Sequence, residues 1–185
     1  MENPDLFDHA ALVEAVRSGF NPEYLFFWGH TSRDDATISK ECLSQWYPAS
    51  FTVDGRVYPT AEHFMMAGKA LVFGDEQSCN RILAAQSPRD VKRFGREVRG
   101  FDESRWEEVR YDLVVRGNLE KFRQNPALRA FLKMTGSRVL VEASPVDRIW
   151  GIGLAGDNPR ALNPEQWEGL NLLGFALMAV RSHLA

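Results

Sequence analysis

The sequence predicts an α+β domain, mostly helical around a small sheet, on three observations. Cap residues stand immediately before several amphipathic stretches, as at Thr60 and at Ser87-Pro88. An Asp54-Gly55 pair separates two short apolar runs, the signature of a tight hairpin turn. Short apolar runs at 24–28 and 138–142 read as strands, with helical spacing filling most of the chain between them.

In chain order, residues 5–18 place Leu6, Ala10, Val13, Ala15 and Val16 at amphipathic spacing before Gly19, which predicts a short helix with a glycine end. Tyr24 to Trp28 is aromatic-rich and reads as a buried strand, followed by a polar loop over 29–40. The hairpin over 50–58 leads into a helix that Thr60 caps, with Glu62 in its first turn where the helix dipole favours a carboxylate. Ser87-Pro88 starts a further helix, and a long one fills 103–123. Asn125-Pro126 opens a short helix that runs to Met134 and closes at Gly136. The strand at 138–142 feeds a loop over 145–153, and the apolar stretch 170–184 forms the last helix.

Composition narrows the function classes. At 185 residues, with 44% hydrophobic and 25% charged residues, the chain suits one globular domain. A net charge of -3 argues against an overall electrostatic footprint for nucleic acid, although Arg89, Lys92, Arg93 and Arg96 form a local basic cluster. Cys42 and Cys79 are too few and too far apart for a disulfide framework or a zinc site, so no metal and no cofactor are expected. The first residues carry no secretory signal, and no apolar run suits a bilayer. A cytoplasmic protein without a membrane partner is the expectation.

Two stretches carry candidate chemistry. Glu62, Met66 and Lys69 share one helix face at offsets of four and seven. The bland reading is a solvated stripe, but the aromatic hairpin just before it would wall off the helix start. Asp147 precedes Trp150-Gly151-Ile152-Gly153, where the glycines permit either an ordinary turn or a backbone amide cradle beside an indole. Gly151-x-Gly153-x-x-Gly156 mimics a dinucleotide fingerprint, yet Pro159 and Pro164 follow where a helix should open, so that reading is rejected. His63 points about 100° from Glu62 on an ideal helix, which disfavours a Glu–His dyad.

The segments 43–48 (LSQWYP), 59–70 (PTAEHFMMAGKA), 140–153 (LVEASPVDRIWGIG) and 169–174 (GLNLLG), in that order, resemble the NADAR family, also called YbiA-like. The resemblance covers nearly all of residues 24–185, leaving 1–23 as an N-terminal helical extension. It implies an N-glycosidase that cleaves the C1′–N bond of a ribose, with a NADAR fold. Expected substrates are ADP-ribosylated guanine, free or in DNA, and phosphoribosylamino-pyrimidine intermediates of riboflavin synthesis. The competing class is a module that binds ADP-ribose or a nucleotide without hydrolysing it.

Carried over residue by residue, the resemblance aligns Glu62, Lys69, Asp147 and Trp150 with the family's motif positions; Glu62, Asp147 and Lys69 are expected to be catalytic, and Trp150, Gly151, Gly153, Trp106, Ser44, Trp46 and Asn171 to bind substrate. Gln45 and Trp46 stand where the family more often has asparagine and phenylalanine. Cleavage passes through an oxocarbenium-like state, which a carboxylate stabilises. Glu62 is therefore expected to position water or steady the cationic sugar, and Asp147 to hold ribose hydroxyls or assist the leaving base. Lys69 is expected to pair with a phosphate or orient Glu62, while Trp150 or Trp106 stacks on the base. Hydrolysis is expected to be metal-independent.

Overall fold

The computed structural model describes residues 8–31 and 37–184. Met1 to Phe7 and Ser32 to Ala36 lie outside it, and with them the first part of the expected 5–18 helix and the middle of the 29–40 loop. The chain forms two compact units, one built from residues up to 44 together with 127–185, the other from 45–126.

The first unit is held by a parallel pair, β1 (Tyr24–Phe27) and β4 (Val139–Glu142), with Tyr24 opposite Val139 and Phe27 opposite Glu142. The β4 residues Val139, Leu140 and Val141 have no exposed surface and pack under α7 (Leu172–His183). α7 therefore turns Leu173, Phe175, Ala176, Leu177 and Val180 inward. Arg181 reaches back from its last turn to donate to Thr135 Oγ1 at 2.7 Å and to the Arg138 carbonyl at 2.9 Å. α1 (His9–Arg17) is capped by Asp8, whose carboxylate accepts from Ala11 N, and ends before Gly19 at φ 95°. His9 stacks on Trp167 with ring centroids 5.3 Å apart. α6 (Pro126–Met134) closes at Gly136, φ 58°, as its sequence suggests. Trp28, read as part of a buried strand, lies beyond β1 and is 58% exposed.

The second unit is built around α2 (Ala61–Val72). It is packed by α3 (Glu76–Ala84), α4 (Pro88–Arg96) and α5 (Glu103–Gln124), with the hairpin β2 (Phe51–Val53) and β3 (Arg56–Tyr58) at its start. Asp54 and Gly55 both take positive φ, 50° and 76°, which matches the turn to the twist of its strands. Phe51, Tyr58 and Phe64 form an aromatic cluster, with Tyr58 edge-on to Phe64 at 5.0 Å. Among the described residues the small sheet content consists of two separate strand pairs, in keeping with a mostly helical α+β fold.

Asp75, the cap of α3, is 2% exposed and saturated. Its carboxylate accepts from Ser78 N and Oγ, and from Arg99 N, Nε and Nη2. The Arg99 side-chain bonds, followed by the Arg99 backbone bond, hold its pKa far below the usual carboxylate range. A depressed folded pKa stabilises above the unfolded value, about 4, and the contribution declines as pH falls below it. Asp75→Asn should therefore lower Tm at neutral pH and flatten the fall of Tm with acid, measured by thermal melts from pH 7 down to about 3.

Candidate active site

Glu62 is 6% exposed, and local structure explains why a carboxylate is held there. Thr60, with φ -145°, caps α2 by accepting from His63 N. His63 Nε2 faces the Ala85 carbonyl at 3.0 Å and so carries the ring proton. The bare Nδ1 accepts from the Thr60 hydroxyl at 2.8 Å. Burial, opposed by the Ala85 bond, lowers the His63 pKa and favours this neutral form. His63 thus serves the cap and forms no dyad with Glu62.

The backbone N–H of Glu62 donates to the Gln45 carbonyl at 3.0 Å. Gln45 is itself fixed, because its Oε1 accepts from Asn118 Nδ2 at 2.8 Å. Asn118 Nδ2 also donates to the Val114 carbonyl at 2.9 Å, which fixes the orientation of both amides. Gln45 Nε2 and Asn118 Oδ1 remain buried without a hydrogen bond. Lys121, without exposed surface, lies one turn further along α5, 5.9 Å from the Tyr47 ring centroid. Asn118 and Lys121 were not singled out from the sequence. A signal existed: Trp106, Arg110, Val114, Gly117, Asn118, Lys121 and Phe122 recur at helical spacing on one buried face, so three polar residues occupy apolar positions.

Lys69 does not orient Glu62. It forms no ion pair among the described residues, and seven residues of helix separate the two by about 10 Å of rise. Its ammonium lies over Phe101, 4.0 Å from the ring centroid, and 5.8 Å from that of Trp106. Burial, partly offset by Glu103, lowers its pKa. Trp106 is 7% exposed, which leaves little face for stacking on a base. Met66 is a packing residue, since a Cβ on Gly95 of α4 would collide with its sulfur. Trp46 is half-buried, with the Lys92 ammonium 5.3 Å from its ring centroid.

The remaining expected residues lie in the first unit. Asp147 Oδ1 accepts from Ile149 N at 2.9 Å and Trp150 N at 2.8 Å, so one carboxylate oxygen shapes the turn. Its second oxygen makes no hydrogen bond among the described residues. Of the two readings open for these glycines, the hydrogen bonds favour the ordinary turn over the amide cradle. Ile152 N is spent on the Glu142 carbonyl and Gly153 N on the Asp147 carbonyl, both at 3.0 Å. Gly151 is needed instead for close approach, because a Cβ there would lie 2.8 Å from the Glu142 carbonyl. Gly153 takes φ 70°. The chain after Gly156 enters a 3-10 turn (Pro159–Leu162), in keeping with rejection of a dinucleotide fingerprint. Trp150 is half-buried, and Ser44 is buried at 6% exposure, its N–H donating to the Glu41 carbonyl.

Asn171 does not offer its side chain to a ligand. It has no exposed surface and adopts the left-handed conformation, φ 53°. Its Oδ1 accepts from Glu142 N and its Nδ2 donates to the Leu140 carbonyl, both at 2.9 Å. The N–H groups of Asn171, Leu172 and Leu173 donate to the carbonyls of Gly151, Ile149 and Trp150. The 147–153 loop and the start of α7 are therefore one hydrogen-bonded piece.

Among the described residues no helix is long and apolar enough to cross a membrane, and no group of three or more His, Cys, Asp or Glu is placed to hold a metal ion.

Comparison with known proteins agrees with this organisation. The chain is 40% identical over 164 residues to "N-glycosidase R617" of Acanthamoeba polyphaga mimivirus, covering 86% of this chain and 95% of that one. It is 34% identical over 174 residues to "Riboflavin biosynthesis protein VVA0006" of Vibrio vulnificus, covering 94% of this chain but 42% of the relative. The solved NMR structure of Escherichia coli YbiA superposes with a TM-score of 0.67 at 28% identity, over 89% of this chain and 86% of that one. The sequence model of the NADAR domain matches residues 26–185, and the chain belongs to the NADAR domain family.

Proposed function

We propose that the protein is an N-glycosidase that hydrolyses the C1′–N bond between a ribose and a nucleobase-type nitrogen. The observation that carries this reading is the buried carboxylate of Glu62, fixed at the start of α2 by Thr60 and by the Gln45 carbonyl. The similarity to a relative named as an N-glycosidase, over 95% of that relative's length, supports it.

In the reaction the C1′–N bond breaks, water adds its oxygen to C1′, and the departing nitrogen takes a proton. Positive charge grows on C1′ and the ring oxygen before water arrives, and an anionic neighbour lowers that barrier. Glu62 supplies the anion or orients the water. Asp147 is proposed to hold ribose hydroxyls or aid the leaving base through its second oxygen, with Trp150 stacking on the base. Lys69, relieved of any role beside Glu62, is proposed to meet a substrate phosphate.

Two substrates fit this chemistry: ADP-ribosylated guanine, and the phosphoribosylamino-pyrimidine intermediates of riboflavin synthesis, the latter in keeping with similarity to a Vibrio riboflavin biosynthesis protein. Incubation of the purified protein with each, followed by product masses, tests the reading. Release of free base with ribose phosphate or ADP-ribose is expected from at least one. Binding of ADP-ribose with both substrates intact would replace the enzyme with a nucleotide-binding module.

A further inference from the structure

We propose that α4 is a docking face for the phosphate backbone of a nucleic-acid strand, which brings a ribosylated base toward Glu62. The proposal rests on the N-glycosidase reading for what the strand delivers, but not for whether the strand binds.

Arg89, Lys92, Arg93 and Arg96 are all exposed and fall within an arc of about 100° around α4. The opposite side, Val91 and Gly95, is buried. Arg93 is paired with Asp90 at 2.8 Å, whereas Arg89, Lys92 and Arg96 have no ion-pair partner among the described residues. This is a concentrated positive stripe on a chain whose net charge is -3. On α5, Arg110 and Arg123 pair with carboxylates one turn away, Glu107 and Glu120, whereas among the four cations of α4 only Arg93 does, with Asp90.

Its position in the second unit gives the stripe a destination. Gly95 seats α4 on Met66, one turn after Glu62 on the same face of α2. At the stripe's edge the Lys92 ammonium covers Trp46, and the adjacent Gln45 accepts the Glu62 N–H. Lys92, at the edge of the stripe, therefore borders the segment that fixes the proposed catalytic carboxylate.

Geometry selects the ligand class. From Arg89 to Arg96 the helix rises about 10 Å along a convex surface. One pyrophosphate is too short to use that length, whereas a strand presents a run of successive phosphates along it. Trp46, half-buried beside the stripe, offers an aromatic surface of the kind on which strand bases stack.

The test uses fluorescence anisotropy with a labelled, unmodified single-stranded DNA of about 20 nucleotides across a salt series. Wild-type protein should bind with an affinity that falls as salt rises. R89E/R96E should lose at least about tenfold and show a shallower salt slope. R129E/K133E reverses the same number of exposed charges on α6 and should change affinity by less than about twofold. R89Q/R96Q should fall in between, with melts confirming that all variants are folded. Absence of wild-type binding, or equal loss in R89E/R96E and R129E/K133E, overturns the proposal. R89E/R96E should still hydrolyse a small free ribosylated substrate at the wild-type rate. If no such substrate is cleaved by either protein, the glycosidase reading fails while the binding result stands.

Discussion

Glu62→Gln is expected to reduce kcat by at least about 100-fold while leaving Tm within a few degrees of wild type. The substitution keeps the size of a side chain that is 6% exposed, along with the α2 cap at Thr60 and the Glu62 N–H bond to Gln45. It removes the anion. A loss of that size corresponds to about 2.7 kcal/mol of transition-state stabilisation, the scale expected of one preorganised electrostatic group. Because the charge on the sugar exists only near the transition state, the loss should fall on kcat rather than KM. Steady-state kinetics on whichever substrate is cleaved would decide the matter. Near wild-type kcat would remove Glu62 from the chemistry, and a large drop in Tm would recast it as structural.

Asn171→Ala is expected to destabilise the protein by roughly 3–8 kcal/mol. The Asn171 amide closes two hydrogen bonds on β4, to Glu142 N and the Leu140 carbonyl, where no water can replace it. Leaving two buried backbone groups unpaired costs about 1–3 kcal/mol each. Alanine in the left-handed conformation adds about 1–2 kcal/mol. The total is a large share of the usual 5–15 kcal/mol of domain stability, so Tm should drop by about 10 °C or more. Asn171→Asp retains one acceptor but turns an oxygen toward the Leu140 carbonyl, and should be intermediate only if that repulsion is tolerated. Denaturant and thermal melts read both variants. A wild-type Tm combined with weakened substrate binding would return Asn171 to the ligand.

What could be read from the sequence was what local chemistry decides. Thr60, Ser87-Pro88 and Asp54-Gly55 signalled their helices and hairpin because caps and tight turns depend on residues three or fewer apart. α3 went unread although Asp75 caps it, since its buried positions are only Ser78, Cys79 and Ile82, a sparse pattern for a helix. The pairing of β1 with β4 joins distant segments and leaves no local trace. The burial of Glu62 was legible from its place in a helix start behind an aromatic hairpin. The roles of Lys69, Asn171 and the glycines were not, because each depends on a partner far away in the chain: Phe101, β4 and the Glu142 carbonyl. Asn118 and Lys121 sit at apolar positions of α5, where a pattern search for hydrophobes passes over polar residues.

The parallel pairing of Tyr24 with Val139 also dictates an order of assembly. During synthesis β1 leaves the ribosome more than a hundred residues before its partner, a wait of several seconds at about 5–20 residues per second. The contiguous block from 45 to 126 can complete its own contacts within that interval, while β1 stays an unpaired edge. Slowed translation between these points would lengthen the exposure of Tyr24, Leu25 and Phe26. That places the nascent chain's period of greatest aggregation hazard before residue 139 emerges.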